Sequence, residues 1–203
     1  MLKQVTLVAN IKTSLSQVVG DVVGVDRGAL YLASSGIRMT FAVGDFDSVS
    51  IEERNLIYQM SDDVIQLEAM KDFSDSQAAI DECKKRGYEK LLFLGSIGGR
   101  LDHHYVNQQM CIQENGIELV LMDDRNKIFC LDVGTHSISK NNYKYLSLFA
   151  IEDAIVTFEN VKYVLTDYFM DTKNLIGLSN EILGETCIIH VQNGRLLAMQ
   201  TND

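Results

Sequence analysis

The chain is expected to fold as an α/β protein: an N-terminal, mostly parallel sheet flanked by helices, followed by a C-terminal antiparallel β-sandwich domain. Over roughly the first 125 residues, apolar strand-like runs alternate with helical patterns, the rhythm of a parallel sheet with helical crossovers. From about Asn126 short β-prone runs follow one another between turn signals, with no long helical pattern. The division this implies is residues 1–125 for the first domain and 126–203 for the second. A third observation concerns function. Gly44-Asp45-Phe46-Asp47-Ser48, Lys71-Asp72-Phe73-Ser74-Asp75 and Gly95-Ser96-Ile97-Gly98-Gly99-Arg100-Leu101-Asp102-His103 each follow an apolar run. Ligands of open α/β sheets bind at the carboxyl ends of the strands, so acids and glycines repeated there point to an enzyme of metal-phosphate chemistry.

In chain order, strands are expected at Val5–Ala9, Val22–Val25, Thr40–Val43, Val64–Leu67, Leu91–Leu94 and Leu119–Met122. Helices are expected between Ser74 and Arg86 and between Asp102 and Asn115. Ser74 and Gln77 have capping-box spacing at the start of the first, and Gly87 supplies its stop. The β-prone runs of the second half are Lys127–Val133, Tyr145–Ile151, Ile155–Glu159, Val161–Leu165, Thr186–Val191 and Arg195–Met199. Asn141-Asn142, Glu152-Asp153 and Asn193-Gly194 read as the turns between them.

Composition narrows the function classes. The chain has 203 residues, 46% hydrophobic and 23% charged, enough to bury a core without disulfides. Its formal net charge is -10, and no block of Lys or Arg forms a basic stripe, so nucleic acid is excluded as the main partner. The four cysteines form no CxxC pair and read as buried thiols in a reducing compartment. No apolar run reaches the length of a membrane span, and Met-Leu-Lys-Gln-Val at the start is strand-like rather than a signal sequence, so the expected location is the cytoplasm, away from membranes. The sequence contains no proline, which leaves its turns to 14 glycines and to Asn, Asp and Ser.

Strand ends carry Asp26, Asp45 and Asp47, Asp72 and Asp75, Asp102, and Asp123 and Asp124. In a parallel sheet these ends share one edge. Converging carboxylates repel and are costly to bury unpaired, a conflict that a divalent cation resolves. With oxygen ligands only and no Cys/His cluster, Mg²⁺ is preferred over zinc. For any single acid, helix capping or turn formation is explanation enough. Asp45 and Asp47 together, two apart and flanked by Gly44 and Ser48, point to ligation. The Gly95–Arg100 loop is neither a Walker A loop nor a GxGxxG motif, but its N–H groups can cradle phosphate, with Arg100 as a forked cation. Lys71 and Arg125, also at strand ends, can offset triphosphate charge. His103 and His104 point about 100° apart on a helix, so they do not readily share one metal.

These motifs resemble a known family. Gly44–Ser48, Lys71–Asp75, Gly98–His103 with Asn107, Lys162-Tyr163 and Ser179-Asn180-Glu181 resemble the thiamine pyrophosphokinases in order and spacing. Gly24-Val25-Asp26-Arg27-Gly28-Ala29 resembles that family's early glycine loop. Ser74 stands where the family usually has Thr, Val164 replaces a usual proline, and the stretch from Asp171 to Leu178 matches less well.

The resemblance implies an α/β domain that binds Mg-ATP and a β-sandwich domain that binds thiamine and dimerises. In the implied homodimer, thiamine lies between one subunit's catalytic edge and the other's β domain. The implied reaction transfers a diphosphate group from ATP to the thiamine hydroxyl, giving thiamine diphosphate and AMP. Asp45, Asp47, Asp75 and Asp102 match the catalytic and metal positions. Asp26, Arg27, Lys71, Ser74, Gly98, Gly99, Arg100 and Arg125 form the candidate ATP- and phosphate-binding set, and Asn107, Ser179 and Asn180 the thiamine set. One carboxylate is expected to accept the hydroxyl proton, with Asp75 and Asp102 as the two candidates. Two alternatives stay open: a diphosphokinase for another alcohol such as a pterin, and a non-catalytic relative that binds thiamine or its diphosphate.

Overall fold

Apolar runs buried on both faces belong in the middle of a parallel sheet, and such runs, with the half-exposed edge strand Val64–Gln66, build the first unit, which extends to Asp124. A computed structural model of the chain describes residues 2–9, 13–68, 70 and 72–203. The strands are β1 (Gln4–Val8), β2 (Asp21–Val25), β3 (Phe41–Gly44), β4 (Val64–Gln66), β5 (Lys90–Leu94) and β6 (Glu118–Met122). They pair in parallel in the order β6-β5-β1-β2-β3-β4. The chain steps outward from β1 to β4, then returns to the other side of β1 for β5 and β6. This reversal makes the carboxyl ends of β1, β2 and β5 the switch point where such sheets open a crevice.

Among the described residues four α-helices carry the crossovers from β2 through β6: α1 (Arg27–Ser34), α2 (Ile51–Gln59), α3 (Asp75–Lys85) and α4 (Leu101–Gln113). The last two were expected. α3 starts at Ser74, whose hydroxyl accepts the Gln77 N–H at 3.1 Å, and Gly87 at φ 75° follows its end. The other two were not expected. α2 carries a complete capping box, with the Glu53 N–H donating to Ser50 Oγ at 3.3 Å and the Ser50 N–H to Glu53 Oε2 at 2.8 Å. The start of α1 is obscured in sequence by Gly28, a poor helix former.

Gly28 is there for space. A Cβ on it would lie 2.0 Å from the Val8 carbonyl oxygen, and one on Gly24 would lie 2.4 Å from Ala29 Cα. The two glycines let α1 settle directly on the ends of β1 and β2, which fixes the position of Asp26 between them.

The second unit, Arg125–Asp203, is antiparallel. It contains β7 (Asn126–Leu131), β8 (Gly134–Ser139), β9 (Tyr145–Glu159), β10 (Leu165–Met170) and β11 (Thr186–Thr201). β11 is the hub: it pairs β8 along its first half, β7 along its second, and β9 along both. The expected breaks at Glu152-Asp153 and Asn193-Gly194 are not turns. β9 and β11 each run through, and the pairing shifts register at Val191/Asn193, Asn193/Arg195 and Arg195/Leu196. Asn193 Oδ1 accepts the Ile155 N–H at 2.9 Å across the bulge, and Gly194 has φ 75°. The bulge bends both strands, so their two halves close over one apolar core that includes Leu148, Val156, Phe158, Cys187, Ile189 and Leu196. Val161 makes only an isolated bridge with Ile182, and the expected strand there gives way to β10. β8 was not expected, because Thr135, His136 and Ser137 leave its pattern polar.

Gly28→Ala is expected to destabilise the chain by about 1–3 kcal/mol through overpacking, lowering Tm by roughly 3–10 °C. Calorimetry of the purified variant checks this.

Candidate active site

A cleft of 590 Å³ opens at the switch point of the parallel sheet, within the first unit. Its walls come from the end of β1 (Ala9), the end of β2 (Asp26), the start of α3 (Ser74, Asp75) and the glycine loop into α4 (Gly98, Arg100). Asp102, His103 and Asn107 of α4 also line it.

Asp26 sits at the N-cap position of α1 with φ 49°, a backbone conformation rare for a residue with a side chain. Its carboxylate nevertheless makes no capping hydrogen bond, so the ordinary role of an Asp in such a loop is not the one it fills. Its Oδ1 is buried without a hydrogen-bond partner among the described residues. Burial pushes the carboxyl above the usual aspartate range, against a pull from the Arg27 N–H, and the charges of Asp75, Asp45 and Asp47 add to the rise. Four aspartates from three separate strand ends thus share one electrostatic neighbourhood.

The Asp45–Asp47 turn is held from several sides. Asp45 Oδ1 accepts the Asp47 N–H at 3.2 Å. Between them Phe46 adopts φ 53° with its side chain fully buried. A Cβ on Gly44 would stand 3.1 Å from Asp26 Cα and 3.3 Å from the Phe46 ring, so a glycine lets the two acidic loops approach. Arg54 of α2 donates from Nη2 to the Phe46 carbonyl at 2.6 Å. Sequence reasoning missed Arg54; the signal that leads to it is the Ser50–Glu53 capping box, which places it on a helix beside the turn.

The glycine loop bends at Gly95, Gly98 and Gly99, all at positive φ. The Gly98 N–H points to His104 Nδ1 at 3.4 Å, and Asn107 donates through Nδ2 to the Ser96 carbonyl at 2.8 Å. Arg100 grips Asp102 in a fork, Nε to Oδ1 at 3.1 Å and Nη2 to Oδ2 at 2.6 Å. The Arg100 hydrogen bonds, helped by the His103 N–H, hold the Asp102 carboxyl down at about 2. Asp102 is not among the acids that raise Asp26.

The remaining candidates are dispersed. Ser74 is in the cleft and caps α3; Arg27 is exposed at the start of α1; Arg125 begins the second unit. Lys71 lies outside the described residues. Ser179 and Asn180 lie in the second unit. Asn180 is buried, and its carboxamide clasps the Tyr163 backbone, accepting from the N–H at 3.0 Å and donating to the carbonyl at 2.9 Å. Ser179 has φ 56°, and its N–H donates to Ser147 Oγ at 3.0 Å.

Among the described residues, no three His, Cys, Asp or Glu side chains form a ready metal cage. An all-carboxylate neighbourhood with one orphaned buried oxygen nevertheless fits Mg²⁺, which is usually bound through one or two carboxylates together with substrate phosphates.

Comparison with known proteins points the same way. Residues 15–121 match the thiamin pyrophosphokinase catalytic domain, and residues 135–196 match the thiamin pyrophosphokinase vitamin B1 binding domain. Thiamine pyrophosphokinase of Bacillus subtilis is 28% identical over 186 residues, covering 89% of this chain and 87% of the relative. The crystal structure of a thiamine pyrophosphokinase from Bacillus subtilis superposes with a TM-score of 0.88 at 26% identity, covering 99% of this chain and 100% of that one. A thiamin pyrophosphokinase family protein from Enterococcus faecalis gives 0.86 at 28% identity, with 98% and 99% covered.

In the intact chain the Asp102 carboxyl is expected to titrate near 2, and Arg100→Met to return it toward the ordinary aspartate value of about 4. Because the folded value is depressed, whatever stability the contact supplies is present above pH ~4 and fades as pH falls toward ~2. Carboxyl-carbon NMR titration of both proteins checks the shift.

Proposed function

The chain belongs to the thiamin pyrophosphokinase family, and on that premise we propose how its cleft transfers a diphosphate group from ATP to the hydroxyl of thiamine, releasing AMP. The observation that carries the proposal is the shared neighbourhood of Asp26, Asp45, Asp47 and Asp75 beside a glycine loop. Such transfer asks a protein mainly to position groups and neutralise charge, and the nucleophile is the substrate's own hydroxyl.

In this reading the triphosphate lies under the Gly95–Arg100 loop, against its N–H groups and the start of α4. Asp45, Asp47 and Asp75 would hold Mg²⁺, which when bound neutralises phosphate charge and polarises the phosphoryl oxygens. Arg100 and Asp102 neutralise each other in the unliganded chain. A triphosphate offers Arg100 a more highly charged partner, and the exchange frees Asp102 to join the acids. The thiamine hydroxyl attacks the β-phosphorus, the bond from that phosphorus to the α-phosphate oxygen breaks, and AMP leaves. We assign the hydroxyl proton to Asp75, which lines the cleft at the start of α3 and shares the neighbourhood of Asp26.

Thiamine is assigned to the second unit near Ser179, with Asn180 acting from behind by fixing the Tyr163 segment. A homodimer accords with the apolar side chains this unit leaves exposed, Tyr163, Val164, Phe169, Leu175, Ile176 and Leu178. A cytoplasmic location accords with four cysteines that form no CxxC pair, three of them buried. Among the described residues no helix is long and apolar enough to cross a membrane.

AMP release is expected to require both thiamine and Mg²⁺, and Asp47→Asn to lower it by roughly a hundredfold or more without loss of fold. Coupled AMP assays with and without each component, beside circular dichroism of the variant, check this. ATP turnover indifferent to thiamine would contradict the assignment.

A further inference from the structure

We propose that Arg54 is a positioning residue for the Asp45–Asp47 pair, holding from behind the turn that presents both carboxylates. The inference rests on the activity proposed above and concerns a residue that does not itself meet the substrate.

Phe46 lies between the two acids in the left-handed region at φ 53°, where a residue with a side chain is disfavoured and persists only if its surroundings impose it. Three contacts impose it. The Phe46 ring is fully buried and packs close to Gly44. The Asp45 carboxylate accepts the Asp47 N–H at 3.2 Å. The Arg54 guanidinium donates to the Phe46 carbonyl at 2.6 Å. The last two hold the same peptide, the one that joins Phe46 to Asp47, Asp45 taking its N–H and Arg54 its carbonyl oxygen, and of these two only the Arg54 contact ties that peptide to another element.

The hydrogen bond is charge-assisted and partly buried, the stronger class of such contacts. Its donor stands on a helix whose start is fixed by the Ser50–Glu53 box, so the support is rigid. Arg54 therefore ties α2 to the turn after β3. A carboxylate pair free to rotate at that peptide would still leave two charges near Asp26, but not at the spacing a cation and a triphosphate need together. Displacements of about 1 Å can cost on the order of a hundredfold in rate.

The test compares the wild type with Arg54→Met and Arg54→Lys in two assays. One is Mn²⁺ binding, followed by electron paramagnetic resonance in the presence of a non-hydrolysable ATP analogue and without turnover. The other is thiamine-dependent AMP release. Arg54→Met is expected to keep the fold by circular dichroism, weaken Mn²⁺ binding about tenfold and lower kcat by roughly ten- to a hundredfold. Its KM for thiamine should stay within about twofold, because the lost contact lies on the acid side of the reaction. Arg54→Lys retains a donor that can reach the same carbonyl and should recover part of both losses. Unchanged Mn²⁺ binding in Arg54→Met overturns the inference. So does a parallel loss of fold and activity in both variants, because that outcome assigns Arg54 to stability alone. A wild-type protein without thiamine-dependent AMP release would instead overturn the activity assigned above.

Discussion

Crowding of negative charge at one edge of a parallel sheet is the constraint on which the rest of the structure depends. Asp26, Asp45, Asp47 and Asp75 come from three separate strand ends, yet each of the last three is close enough to make Asp26 harder to ionise. Such an arrangement opposes folding and survives only where the backbone leaves the side chains no alternative. The chain supplies that backbone. Gly28 lets α1 touch the end of β1, Gly24 admits Ala29, and Gly44 admits both Asp26 and the Phe46 ring. Three glycines thus form the close-packed floor beneath the acids. The positive φ values at Asp26 and Phe46 mark where strain is retained at the site.

The second unit solves a different problem with different means. Its two long strands bend at a bulge rather than break, so β11 serves β8 with one half and β7 with the other. The bend closes one apolar core and leaves Gly177 pressed on the Leu148 backbone, where a Cβ would sit 1.8 Å from the carbonyl oxygen. From that contact the chain runs into Ser179 and Asn180. The side chain of Asn180 is committed to the Tyr163 backbone, so the motif is first a clasp that shapes the segment.

The parallel sheet was legible in sequence because its central strands are largely apolar runs bounded by polar residues, a local signal that matches their burial. The fold class, the family and the enzyme assignment follow the sequence reading closely. Helices α1 and α2 escaped it for opposite reasons. α1 hides behind a glycine required for packing, whereas α2 displays its Ser50–Glu53 box beside the more conspicuous acidic motif. Asn193-Gly194 misled because its local preference for a turn is overridden by strand pairing that continues on both sides. At the site, the placement of acids on strand ends was readable. The Arg100–Asp102 fork and the Arg54 contact were not, since each depends on side-chain geometry that spacing alone does not carry.

A crystal structure with Mg²⁺, an unreactive ATP analogue and thiamine addresses the convergence of the acids most directly. The expected result is magnesium bound by carboxylate oxygens of Asp45 and Asp47, with the triphosphate beneath the Gly95–Arg100 loop and Asp26 facing the same cleft. Triphosphate and metal seated elsewhere, with those aspartates pointing to bulk water, would contradict it.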